Sequence, residues 1–289
     1  MSAAHLDPTR KHDYVFLIDV KDGNPNGDPD AGGMPRIDPI TSQGIITDVA
    51  LKRKIRNTIT LAHQGQPGFE MYVEEGVALN PQIQRAYHEG GTTEGDTPTA
   101  QQWMIRNFYD VRLFGAVMSV GDQKKHAGKA RGPMQLTFSR SIDPITPLEA
   151  GITRVAPNKP EDLASGKVTE MGNKHYVPYG LYRGHGFYSG ALGTKAGITP
   201  DDLAAYWHAM TMMFDHDRAA SRGEMAIRGL YVFTHDNAYG RAPAHKLFDL
   251  IRIKPLGHSE ARSWDDYTDR INIDEDHIPD GVTLTRLIH

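Results

Sequence analysis

The strongest hydrophobic signal is an unbroken run, Tyr14–Val20 (YVFLIDV), whose aromatic and β-branched residues predict a central strand. After Thr47 and Asp48 the pattern changes to helical spacing. Leu51, Ile55, Ile59 and Ala62 form one stripe, so a helix is predicted to about Ala62, capped by Thr47 or Asp48. Residues 63–100 are rich in Gly, Pro, Gln and Thr, with a short helix over Pro81–Glu89. Trp103–Arg106 opens a segment leading into Val111–Val120 (VRLFGAVMSV), a second strand candidate. Gln135–Ser141 alternates as a strand, and His175–Ser189 has the aromatic and glycine content of a buried one. Asp143–Lys174 is a polar, Pro-rich excursion flanked by strand-like segments. It predicts a projecting hairpin with arms Ile152–Val155 and Val168–Met171.

Thr199-Pro200-Asp201-Asp202 is a helix start with a cap, Pro at the first position and an acid following. Leu203, Tyr206, Trp207, Met210, Met213 and Phe214 then recur at helical spacing as a core stripe. Ile227–Thr234 and Leu247–Lys254 are late strands. Strand, helix, two strands around a long hairpin, helix, strand is the β-α-β-β-α-β plan of an α+β, ferredoxin-like domain with large insertions.

Charge then singles out the stretch Asp19–Arg56, in which a long loop of Gly, Pro, Asn and Asp feeds a cation-rich helix. Loops of this length inside a domain usually bind something. Lys52, Arg53 and Arg56 fall within one helical quadrant, and no Asp or Glu occurs from Val49 to Phe69. Cations without local acidic partners beside a glycine loop favour phosphate contact over a merely solvated face. A second basic window, Lys124, Lys125, Lys129 and Arg131, sits in Gly121–Gly132 and reads as a flexible loop. The chain carries net charge −4, but Ser259–Asp280 alone holds eight acids against Arg262 and Arg270, a net −6. The remainder is therefore +2, and its positive charge is clustered. The acidic segment reads as solvated or as a contact between copies.

Composition narrows the class. With 289 residues the chain can bury a large core, as one elaborated domain or two. No apolar run approaches the roughly 18 residues of a membrane span, and the N-terminus lacks a signal-peptide core, so the protein reads as cytoplasmic with no membrane partner. The absence of cysteine excludes thiolate ligands and thiol nucleophiles.

Four motifs fall short. Asp22, Asn24, Asn26 and Gly27 match half a calcium loop, but the twelfth position is Gly33, not Glu, so turn chemistry explains the match. Arg183-Gly184-His185-Gly186-Phe187 matches part of an RNA-recognition strand. Gly190–Lys195 lacks Walker spacing. Asp215-His216-Asp217-Arg218 reads as helix-end salt bridges, not as a metal site. No metal and no cofactor is implied.

DVKDGNPNGDPD, GIITDVALKRKIRN, FYDVRLFGAVMS, GPMQLTFSRSIDPI, KHYVPYGLYRGHGF and FDHDRAASRGEM resemble, in this order over roughly residues 12–255, the Csd2/Csh2 branch of CRISPR-associated proteins. Type I-C is the most similar branch. The resemblance implies the backbone subunit of a type I Cascade complex, with a modified RRM-like palm (12–62, 108–142, 175–255), a helical insertion (63–107) and a thumb hairpin (143–174). An acidic C-terminal segment (256–289) follows, and the whole is one elaborated domain. It also implies a filament of copies along CRISPR RNA, target DNA met through the guide, other Cascade subunits and a recruited nuclease-helicase. The implied RNA contacts are Asn24, Asn26, Lys52, Arg53, Arg56, Arg140, Met171, Lys174 and His175, with Lys124, Lys125, Lys129 and Arg131 facing the target strand. Such a subunit is not an enzyme. The rivals are a metal-dependent endoribonuclease using loop carboxylates such as Asp28, Asp30 and Asp38, and an oligomer whose basic helix docks on the acidic segment of the next copy.

Overall fold

The computed structural model describes residues 3–119, 125–166, 168–257 and 260–288. Its centre is β1 (His12–Gly23), buried on both faces from His12 to Val20. Alternation divides this strand between two cores. Tyr14, Phe16, Ile18 and Val20 face a layer of helices. Val15 and Leu17 face a second cluster that includes Tyr179, Phe233, Leu247 and Tyr267. A strand covered on both sides needs no polar face, which accounts for the continuous run in the sequence.

Two short strands, β2 (Gly27–Asp28) and β3 (Met34–Pro35), pair within the loop that follows, and β4 (Gln43–Ile46) returns to the sheet edge. Helix α1 (Asp48–Ala62) is capped by the Thr47 side chain, as predicted, and buries Leu51, Ile55 and Ile59. Next come α2 (Leu79–His88), α3 (Thr97–Asn107) and α4 (Tyr109–Phe114). These enclose a third core around Tyr72, Trp103, Met104 and Phe108. The expected strand Val111–Val120 is formed only over its middle, and Val120 lies outside the described residues. The start of the run is the end of α4, Gly115 takes φ +79°, and β5 (Gly115–Met118) pairs with β6 (Gly128–Arg131) away from the main sheet. A short apolar run cannot by itself separate buried helix from strand. The same pairing puts Gly128–Arg131, expected in a flexible loop, into a strand.

Gln135–Ser141 is split into β7 (Met134–Leu136) and β8 (Ser139–Pro144), with Phe138 half exposed at the break. β9 (Leu148–Arg154) forms the hairpin with the first third of β10 (Glu170–Tyr188), in the register Arg154–Glu170 to Leu148–Tyr176. Its arms are therefore longer than expected and displaced toward the sheet, so Val155 and Val168 lie beyond the pairing. A short helix, α5 (Pro160–Ala164), stands near the tip. Within β10 the partial RNA-recognition motif has a packing explanation. A Cβ at Gly184 would lie 2.2 Å from Phe16 Cζ, and one at Gly186 would lie 1.8 Å from Tyr14 Cζ. The two glycines let β1's aromatic rings cross β10.

Gly190–Lys195 begins α6 (Gly190–Ala196). Helix α7 (Pro200–His216) has the predicted capping box and buries the predicted stripe. β11 (Glu224–His235) pairs with β1. The expected strand Leu247–Lys254 is instead α8 (Ala244–Phe248), which starts after Pro243, followed by β12 (Ile251–Ile253). β13 (Ile271–Ile273) pairs with β12, and β14 (Val282–Ile288) adds an edge strand beside β11. The main sheet runs β14-β11-β1-β10-β8-β4, with β7 also on β10 and every pairing antiparallel. The C-terminal segment is thus tied to the body. Tyr267 is fully buried, and its hydroxyl donates to Asp143 Oδ2 at 2.6 Å.

Candidate nucleic-acid interface

One end of the sheet gathers three chain segments. β1 ends at Gly23, which pairs with Val177, two residues past His175 at the root of the hairpin. The glycine loop starts where the hairpin leaves the sheet. Gln43 of β4 lies opposite Pro144 of β8, and Arg140 lies between Ile45 and Arg183. The loop, the Arg140 strand and the hairpin root are therefore neighbours, although Asn24 and Lys174 are 150 residues apart in sequence.

The loop is held by its own polar side chains. Asn24 Nδ2 donates to the Gly33 carbonyl at 2.7 Å, and the Asn24 N–H reaches Ser221 O at 2.8 Å. Asn26 Oδ1 accepts from both the N–H and the hydroxyl of Thr47 at 2.9 Å. Asn26 thus fastens the loop to the cap of α1, and its oxygen is spent there. The calcium-like half-motif is a staple. Positive φ at Asp22, Gly32 and Gly33 agrees with the turn chemistry expected. Loop and helix border a groove of roughly 770 Å³ whose lining includes Arg36, Arg53, Phe138 and Arg222. Arg36 Nε is buried without a partner among the described residues, and Arg36 Nη1 lies 3.4 Å from Asp28.

The expectation that the helix cations lack acidic partners is overturned. Lys52 Nζ pairs with Asp48 at 3.0 Å and also donates to Gln135. Arg53 pairs with Glu75, and Lys54 with Asp217. Arg56 Nε donates to Asp110 at 2.8 Å, and the same carboxylate accepts the N–H groups of Tyr72 and Val73. The acids are Asp48, at the start of the same helix, and residues of distant chain segments. Their accessibility differs. The Arg53 side chain is 58% exposed and Glu75 79%, so solvent screens this pair and it holds weakly. The Arg56–Asp110 pair is nearly closed to solvent. Lys54 is buried, which lowers its pKa, and Asp217 also accepts from Arg222 at 2.5 Å. The helix-end salt bridges expected at Asp215–Arg218 are present, with the Asp215–Arg218 contact at 2.9 Å.

Arg140 is half exposed and pairs with Asp38 at 2.7 Å. That hydrogen bond, with two backbone N–H groups, holds the Asp38 carboxyl below its ordinary pKa. Asp28 accepts from the Asp30 N–H. Met171 is 81% exposed, so it does not pack within its own hairpin. Lys174 and His175 lie opposite Ala150 and Glu149 at the hairpin root. Lys129 and Arg131 are exposed on β6, and neither lines the groove beside the glycine loop. Lys125 is bound there to Glu94 at 3.0 Å, and Lys124 lies outside the described residues. Sequence reading missed Arg36, Phe138 and Arg222 as groove residues. Only Arg36, inside the glycine loop, carried a signal.

Residues 10–274 match the family model described as CRISPR-associated protein Cas7. A Haloferax volcanii protein described as CRISPR-associated protein Cas7 is 29% identical over 154 residues, or 47% of this chain and 44% of that relative. The match therefore spans less than half of the relative's length. Among solved structures, a chain of a CRISPR RNA-guided surveillance complex in a pre-nicking state has TM-score 0.48 and 12% identity, covering 77% of this chain and 75% of that one. A chain of another CRISPR RNA-guided surveillance complex has TM-score 0.48 and 11% identity, covering 86% and 78%.

Proposed function

Because this chain belongs to the CRISPR-associated Cas7 family, we propose that it is the guide-binding backbone subunit of a type I surveillance complex, of the type I-C branch. Copies stack head to tail along CRISPR RNA, the hairpin acts as a thumb over the guide, and target DNA is met through base pairing with that guide. Other Cascade subunits and a recruited nuclease-helicase complete the machinery, and this subunit is not catalytic.

The observation that carries this reading is the groove bordered by the glycine loop and α1, with the hairpin leaving the sheet where that loop begins and Arg140 joined to the loop through Asp38. Arg36, Arg53 and Arg222 supply cations there, and the half-exposed Phe138 supplies a ring on which a base can stack. The strand order β11-β1-β10-β7/β8 is the fourth-first-third-second arrangement of a ferredoxin-like sheet and supports an RRM-like palm. Arg53, Arg140, Lys174 and Met171 are the contacts favoured in this arrangement. Asn24, Asn26 and Arg56 act behind them, shaping the loop and helix.

The engagement of Asp28 by Arg36 and of Asp38 by Arg140 favours a structural use of the loop carboxylates over metal-assisted cleavage. One experiment separates the two. Purified protein is titrated onto RNA of guide length across a salt series, in magnesium and in EDTA, and the RNA is then run on a denaturing gel. Tight binding that weakens steeply with salt and leaves the RNA intact is expected. Magnesium-dependent shortening abolished by Asp28→Ala would instead make the protein a nuclease.

A further inference from the structure

A second groove lies at the opposite end of β1, roughly 35 Å from the glycine loop at the rise of a strand. Two adjoining hollows of roughly 470 Å³ each share Lys11, Phe187 and Tyr239. Tyr239 is 88% exposed. It does not sit on a loose loop. Asn237 Oδ1 accepts from the N–H groups of Tyr239 and Gly240, each at 2.9 Å. Arg241 grips Asp236 through two 2.7 Å hydrogen bonds, and its N–H donates to His235 Nδ1. The Lys11 N–H reaches Asn237 O at 3.0 Å. A large aromatic ring fully presented to solvent by a fastened loop carries no packing role, and ordering it costs little on binding.

The groove floor is also built. Asp13 is completely buried and pairs with Lys11 and with His235 Nε2. Because His235 Nδ1 accepts from Arg241, its Nε2 carries the proton and donates to Asp13. The pair fixes the Lys11 ammonium at the floor, while Asp13 Oδ1 has no partner among the described residues. On the rim, Arg131 is exposed and without an acidic partner among the described residues, and Lys129 shares its face of β6.

We propose that this groove binds a single-stranded nucleic acid other than the guide, with Tyr239 and Phe187 stacking a base and Lys11, Arg131 and Lys129 meeting its phosphates. Stacking rings interleaved with cations are what a single strand requires, and they select little for sequence. The inference rests on the chain's being a nucleic-acid binder, but not on the glycine-loop site.

The test uses the full chain, free and loaded with guide RNA, and a labelled DNA oligonucleotide with no complementarity to the guide. The DNA is expected to bind both forms, and Tyr239→Ala is expected to weaken it about tenfold. Arg131→Glu combined with Lys129→Glu should flatten its salt dependence, with guide binding unchanged in both variants. Arg53→Glu should do the reverse, weakening the guide and sparing the DNA. Failure of the guide arm alone counts against the proposed function and not against this groove. Absence of DNA binding, or DNA binding indifferent to Tyr239→Ala, would overturn the inference. So would a Tyr239→Ala variant altered only in self-association by sedimentation, which would mark a protein interface.

Discussion

Asp110 sits in the stretch FYDVRLF, one residue before the run Val111–Val120 that the sequence predicts as a strand. In the fold it is 1% exposed and receives three donors, Arg56 Nε and the N–H groups of Tyr72 and Val73. It joins α1, the segment at Tyr72–Val73 and α4. Removing one partner of a buried, hydrogen-bonded pair leaves the other charge unpaired, a loss of about 3 kcal/mol or more. Asp110→Ala is therefore expected to lower the urea midpoint sharply. Arg53→Ala, which breaks an exposed pair, should leave it nearly unchanged. Similar midpoints for both variants would mean that Arg56 finds another partner. The same comparison shows what the residue pattern could and could not reveal. The positions of Lys52, Arg53 and Arg56 on one side of α1 follow from helical periodicity. The pairing of Lys52 with Asp48 is local, but that of Arg53 and Arg56 is not, because Glu75 and Asp110 approach only once the chain is folded.

At the scale of elements, the signals that depend on neighbouring residues were the legible ones. The cap at Thr47, the capping box at Thr199 and Asp202, and the core stripe of α7 all appear as the sequence implies. Elements fixed by distant partners were not. Gln135–Ser141 alternates like one strand but breaks at Thr137–Phe138, between its pairing with one part of β10 and the next. The hairpin was visible as a polar excursion, yet its register is set by the inner arm's continuity with β10. β9 buries none of its residues. Replacing residues 150–173 by a short turn is thus expected to leave the thermal midpoint of the body nearly unchanged. If the hairpin closes over the guide, the same deletion should weaken RNA binding about tenfold, as phosphate contacts are lost. Undiminished binding would restrict the RNA contacts to the glycine-loop groove.

For the whole molecule, charge placement matters more than the net value of −4. The acidic segment is bound to the body through Tyr267, β13 and β14, so it is not a free tail able to fold over the basic helix. Its exposed carboxylates, among them Asp269, Asp276 and Asp280, then act on an approaching nucleic acid as a fixed repulsive field. Such a field fades once the screening length falls to about 10 Å, near 0.1 M salt. Converting these three residues to Asn should raise RNA affinity at low salt, with the gain disappearing as salt increases. The rival arrangement, in which the segment docks on α1 of a neighbouring copy, predicts something else. There the same substitutions would weaken assembly, and the loss would be read by sedimentation of the RNA-free protein. A gain in affinity with unchanged sedimentation assigns the acids to steering. Loss of assembled species without RNA assigns them to the contact between copies, and the paired state of Arg53 with Glu75 would then be the state before docking.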